Sequence, residues 1–287
     1  MNQPRGRILR LLAVAIAVLA LTSAYLVMLG RFRVSEQPGE RHFAAEGAGE
    51  PAGEVYLEPL SIDAPNDALQ MRAYLTPRSA ASPDAHGAPA RNLTALITHD
   101  KTVEEMKLAA GDHVATSTFE VDLNEGSVSR YPLDSYVAQF GVALMDGKSS
   151  QNLPVQVTIW EGVLGYRLNT TAEPAGEPDD VQLTLAIARS GAFALFAFCA
   201  YGAMVALALC ALVIGALTFA GVRRAEMSQI GSLAAMAFAL PVLRDALPGR
   251  PPLGVQADMW VFLWTELVVV LALALAVFQW ARTGPSP

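Results

Sequence analysis

Four apolar stretches constrain this chain more than any other feature. A bilayer's hydrocarbon core is about 30 Å thick and needs about 20 apolar residues at about 1.5 Å rise each. Residues 11–29, 193–219, 227–243 and 259–280 meet or approach that length. The first is uncharged and stands between Arg5, Arg7 and Arg10 on one side and Arg31 and Arg33 on the other. The second is also uncharged and ends at Arg223 and Arg224. The third is the most polar, holding Ser228, Gln229 and Ser232, with Pro241 near its end. The fourth is bracketed by Trp260, Trp264 and Trp280, rings of the kind that settle at membrane interfaces. A secretory leader competes for the first stretch. Its apolar run exceeds the roughly 7–15 residues of a leader core and no small-residue cleavage site closes it, so it is read as an uncleaved anchor.

Between the first and second stretches lies a block of different character. Only 16% of the 287 residues are charged, against about 25% in a soluble domain. The net charge of −7 hides a split, because residues 34–188 hold 23 acids and 9 bases while the remainder holds 4 acids and 11 bases. An acidic polar block in an apolar, basic-edged frame excludes a nucleic-acid binder, whose cations should line one exposed face. Both cysteines, Cys199 and Cys210, fall in the second apolar stretch, so the block has no disulfide of its own.

Residues 1–33 are thus read as an N-terminal anchor and 34–53, rich in Gly, Pro and Glu, as a linker. Period-two alternation predicts strands at 54–62, 69–76, 93–98, 117–123, 136–144, 155–160, 165–169 and 181–188. Residues 101–110 read as a possible helical turn. Strands at this spacing predict an antiparallel, immunoglobulin-like β-sandwich over 54–188. A three-helix membrane region over 189–282 completes a four-helix bundle with the anchor, and 283–287 form a tail. Four spans put both termini on one side. Six arginines flank spans on that side (Arg5, Arg7, Arg10, Arg223, Arg224, Arg282) and five on the other (Arg31, Arg33, Arg189, Arg244, Arg250). The positive-inside rule then favours cytoplasmic termini, an inner-membrane location and a block outside the membrane.

No phosphate-cradling loop, HExxH, GxSxG or CxxC occurs, so no catalytic residue, cofactor or metal site is expected and the chain is read as non-enzymatic. His42, His86, His99 and His113 share no ligand spacing, and Asp179 and Asp180 sit in a Pro/Glu loop as surface carboxylates. The sequons at Asn92 and Asn169 matter only in a glycosylating host, and 17 Arg to 3 Lys suggests a GC-rich bacterium instead. Glu266 is the charged residue well inside a span, about 10 Å deep. It reads either as part of a polar cavity or proton path, or as glue bonded to a neighbouring hydroxyl. Gly202, Ala206 and Cys210 form a stripe of small residues at spacing four that permits close helix contact.

Three stretches are candidates for joining the block to the spans. In Arg130-Tyr131-Pro132-Leu133-Asp134-Ser135-Tyr136 the proline holds Tyr131 extended at a strand end, and Asp134 follows two residues later. Asp134 is either a turn carboxylate or the partner of a base. Arg189 ends the last strand immediately before the second span, where it either anchors to headgroups or pairs with Asp134. Residues 243–258, with three prolines, two glycines and Arg250, form a stiff loop suited to docking against another domain.

On these residues the chain resembles a bacterial family of four-span membrane proteins, domain of unknown function 4436. The resemblance is carried by Tyr131 to Tyr136, by Arg189-Ser190, and by Arg244 with the 248–254 loop, Asp258 and residues 261–266, and it covers nearly the whole chain. Leu133 and Gly191 stand where the family pattern has Phe and Pro. The family implies membrane location and architecture and supplies no activity. A fainter likeness is to pentameric ligand-gated ion channels, in which an aromatic-Pro-aromatic-Asp loop at the base of a β-sandwich meets an Arg before the first channel span. That likeness implies roles for Asp134 and Arg189, a pore helix opening near Glu226, and a linking loop at Pro248 to Pro252. It also implies a pore face of Glu226, Gln229, Leu233, Met236 and Leu240, with the 11–29 anchor standing in for a fourth span. The expected function is therefore a membrane protein whose sandwich binds a ligand or envelope partner, with the lipid bilayer and a second copy of the chain as further partners. The alternative is a channel or transporter gated through Asp134 and Arg189.

Overall fold

The computed structural model describes residues 39–44, 49–78, 89–100, 102–149, 151–173 and 180–283, together with scattered helical residues between 12 and 30. The anchor thus lies mostly outside the described residues, as do His86, Lys101, Asp179 and the end of the tail. Residues 1–38 form one unit, and 39–287, holding the sheets and the other helices, form a second.

Two sheets form a sandwich. The five-stranded sheet has the order β1 (Glu40–Ala44), β10 (Val155–Trp160), β2 (Gly53–Asp63), β3 (Ala68–Pro77), β6 (Ala115–Asp122). The other runs β11 (Gly162–Val163), β12 (Tyr166–Glu173), β13 (Val181–Arg189), β8 (Ser135–Asp146), β4 (Leu93–His99), β5 (Thr102–Leu108), with the short β7 (Glu125–Gly126) and β9 (Asn152–Leu153) also on β8. Alternation supplies the core. Val55 and Leu57 on β2, Val157 and Ile159 on β10, Ala138 and Val142 on β8, and Leu183, Leu185 and Ile187 on β13 all point inward and are buried.

Three expectations are corrected. The sandwich is not wholly antiparallel, because β10 pairs with β2 in parallel. Residues 40–44, read as linker, are an edge strand paired with β10. Residues 102–108, read as a helical turn, are the edge strand β5. Both hidden strands lack a clean period of two because an edge leaves much of each surface in water; β5 buries only Met106 and Leu108.

Three long helices follow: α1 (Gly191–Phe219), α2 (Met227–Asp245) and α3 (Leu263–Thr283), the last preceded by a π-turn over Asp258–Phe262. Each is long and apolar enough to cross a membrane. Ser190 accepts a hydrogen bond from the Phe193 amide at 3.3 Å and caps α1, so strand becomes helix within one residue. The face of α1 that packs inward is Ala197, Met204, Ala208 and Ala211, and at Gly215 the backbones come close enough that an added Cβ would lie 2.8 Å from Ala272. Gly202, Ala206 and Cys210 lie on the exposed side instead, and a Cβ on Gly202 would meet nothing within 4 Å.

Candidate functional site

The junction of sandwich and helices is built by strand register. On β13 the inward positions are 181, 183, 185, 187 and 189, so the alternation that buries leucines delivers Arg189 to the core side at the sandwich's base. Ala188 pairs with Ser135 on β8. One step further along, Asp134 falls opposite Arg189. Arg189 Nε donates to both carboxylate oxygens of Asp134, at 3.1 and 2.9 Å, and the two side chains are 3% and 0% exposed. Tyr136 donates its hydroxyl to the same carboxylate at 2.8 Å.

Three rings enclose the guanidinium. Its Cζ lies 4.5 Å from the Tyr166 centroid, 4.7 Å from Phe193 and 5.5 Å from Tyr131. Ring faces attract a cation, and a dry site strengthens the attraction. Sandwich and span both contribute, since Tyr131 and Tyr166 come from the first and Phe193 from α1. Burial is the main cause that pushes the Tyr131 and Tyr136 phenols well above their ordinary range. Tyr166 is pushed up to about 12, again chiefly by burial, with the Arg189 charge acting in the opposite direction.

The α2–α3 loop closes the junction. Tyr131 donates its hydroxyl to the Pro248 carbonyl at 3.0 Å, joining the 131–136 segment to the loop. The peptide bond between Tyr131 and Pro132 is cis. Gly249, at φ +71°, presses so closely on Arg189 and Phe193 that a Cβ there would lie 2.7 Å from each.

A second buried ion pair stiffens that loop, and sequence reasoning assigned it no role. Arg244, at the end of α2, holds Asp258 through Nη2 at 2.8 Å and Nε at 3.3 Å. Arg244 Nη2 also donates to the carbonyls of Pro251 and Pro252 at 2.9 and 2.8 Å. Tyr201 from α1 donates to Asp258 at 3.2 Å. The available signal was an Arg and an Asp bracketing a proline-rich loop between two apolar runs, since charges placed there must find partners.

The structure thus brings together Asp134, Arg189 and Tyr131, with Pro132 beside them, and leaves Arg250 outside. Arg250 is exposed on the loop at φ +41°. Its amide closes a turn onto Leu247. Glu266 lies half-buried in α3, and its Oε2 is buried without a hydrogen-bond partner. The stripe read as a pore face does not stand free, because Leu233 and Leu240 are wholly buried in the helix bundle. His42 bonds Thr158 at 2.9 Å, His99 stacks on Phe119, and His113 is exposed. Among the described residues no group of three His, Cys, Asp or Glu gathers in a way that could hold a metal.

Compared with known proteins, residues 43–185 match the family described as Domain of unknown function (DUF4436). Residues 189–283 match a second, described as Domain of unknown function (DUF8686). The resemblance seen in the sequence therefore divides at the junction: Arg189 and the 244–266 block fall in the second match. No curated protein matches the chain.

Proposed function

From the premise that this chain carries, in residues 43–185, a domain of the family described as domain of unknown function 4436, we propose a non-enzymatic, multi-pass protein of the cytoplasmic membrane. Its sandwich lies outside, binds an envelope partner or ligand, and passes its state through Asp134 and Arg189 to the helices that follow it; the 11–29 anchor supplies a fourth span. The observation that carries this reading is the junction itself, where Arg189, ion-paired with Asp134, packs against Phe193 of α1 and Tyr131 bonds Pro248 in the α2–α3 loop. With only Ser190 between β13 and α1, a rotation of the sandwich has no slack in which to dissipate.

Hydrogen exchange on the detergent-solubilised full chain tests the coupling. Pro248→Ser leaves the ion pair in place but frees the loop, while Tyr131→Phe removes the hydroxyl donor. Under coupling, Y131F raises exchange in residues 247–256 and also in the first turn of α1. Unchanged α1 exchange would refute it. Reporter fusions at both termini and within residues 79–88 test the orientation. Turnover of a generic hydrolase substrate that an Asp or His substitution abolishes would end the non-enzymatic reading.

The channel reading has one observation in its favour, the 2.9 Å contact of Asp134 and Arg189 that the likeness requires. With Leu233 and Leu240 packed inside, any lining would have to come from the exposed side of α2, which carries Ser228, Gly231, Ser232 and Ala235. Currents from the reconstituted protein in planar bilayers support it. Silence across pH and ligand screens, with a monomer mass in detergent, sinks it.

A further inference from the structure

A cleft of about 310 Å³ opens between the ends of α1 and α2 that lie farthest from the sandwich. It is lined by Ile214, Leu217 and Thr218 of α1, by Arg223 in the connecting turn, and by Ser228, Gln229 and Ser232 of α2. We infer that this cleft binds the phosphate headgroup of an anionic phospholipid, with the start of an acyl chain along Ile214 and Leu217. The inference rests on α1 and α2 crossing the membrane and is independent of any signal through Asp134 and Arg189.

Depth comes first. Arg223, Arg224 and Glu226 stand in the turn that closes the cleft, and charged groups are costly in the hydrocarbon core, so this turn marks its edge. The cleft therefore sits at headgroup level, where phosphates are. Charge comes second. Arg223 is exposed and makes no ion pair among the described residues. A basic group between spans at this level draws anionic headgroups. The polar wall supplies the remaining contacts. Thr218 donates its one hydroxyl hydrogen to the Ile214 carbonyl at 2.8 Å, and the Gln229 carboxamide lies 3.3 Å from the Thr218 oxygen, which places a group with N–H donors at the cleft wall. Ser228 and Ser232 already donate, to Glu226 at 3.3 Å and to the Ser228 carbonyl at 2.9 Å, so they offer acceptor oxygens suited to a headgroup hydroxyl. Glu226 is the opposing charge nearby; it is exposed and does not line the cleft. One wall is apolar and the other bears a cation and amide donors, which is the amphipathic division of a phospholipid at its glycerol backbone.

The full chain in detergent is titrated with phosphatidylglycerol or phosphatidylcholine, and bound lipid is counted by native mass spectrometry. The wild type is expected to retain phosphatidylglycerol preferentially. Arg223→Gln lowers that retention about fivefold, the effect of one basic group near a charged surface. Ser232→Leu fills the cleft with the charge intact and abolishes the preference, whereas Arg224→Gln, outside the cleft, leaves it unchanged. Excess soluble glycerol phosphate leaves the lipid bound. Equal losses from the two arginine variants, wild-type retention by Ser232→Leu, displacement by glycerol phosphate, or no preference in the wild type would each overturn the assignment. The two decisive variants lie in different segments, so one misfolded protein cannot decide the result.

Discussion

Arg189 is only 8% exposed, which a cation tolerates because its Nε bonds the Asp134 carboxylate and three rings lie within 5.5 Å of its Cζ. Removing one partner of such a pair strands the other. Asp134→Asn should cost roughly 3–5 kcal/mol. Adding Arg189→Gln should recover part of that loss, and the coupling energy of the cycle from thermal melts in detergent measures the pair. Additive losses would mean that the two side chains do not act together. Gly249→Ala should loosen the same junction, since its Cβ would strike Arg189 and Phe193 at 2.7 Å from a left-handed backbone. The buried phenols give the junction a pH signature. Tyr166 keeps its proton up to about 12 when folded, whereas an unfolded tyrosine loses it near pH 10. Between those values the folded chain binds more protons, so stability is intact below about pH 10 and falls as pH rises towards 12. Absorbance at 295 nm followed alongside alkaline unfolding checks this. If all seven tyrosines ionise together before unfolding begins, the burial argument is wrong.

At the scale of elements, the helices hold together where their backbones approach. Gly215 faces Ala272 with no room for a Cβ. Gly215→Val should therefore cost about 1–3 kcal/mol through overpacking, read as a lower melting temperature. Gly202→Ala is the contrast. It meets open space, removes a helix-weakening glycine worth up to about 1 kcal/mol, and should leave the melt unchanged or raised. Both glycines sit in one apolar run, so sequence alone offers no means of telling which faces a helix. Spacing four marks a possible stripe on any face of a helix, and tertiary packing selects one. The same limit hid β1 and β5. Their residues pair by backbone hydrogen bonds with β10 and β4, and such bonds leave no trace in side-chain periodicity.

For the whole molecule, exposed apolar side chains mark where water ends. Trp260 is 82% exposed and Leu253 80% on the loop side of the bundle, and Phe238 is 78% exposed on the side of α2. Patches of this kind are stable when lipid covers them. The protein should stay in the pellet after a carbonate wash and enter solution only with detergent; recovery in the supernatant would refute the membrane assignment. Three of the four expected spans, as helices long and apolar enough to cross a membrane, and most strands were legible because each depends on one property read along the chain, apolar length or period two. The Asp134–Arg189 pair was legible as a possibility, because a charge at a strand end beside a span needs a partner. Its confirmation needed the register of β8 on β13. The Arg244–Asp258–Tyr201 cluster needed three segments to meet, and Arg250, an equally good candidate by sequence, turned outward. The chain's own order of apolar and alternating residues determined that three apolar helices follow a sandwich. Folding in three dimensions decided which charges are buried together, since burial depends on neighbours that linear spacing does not specify.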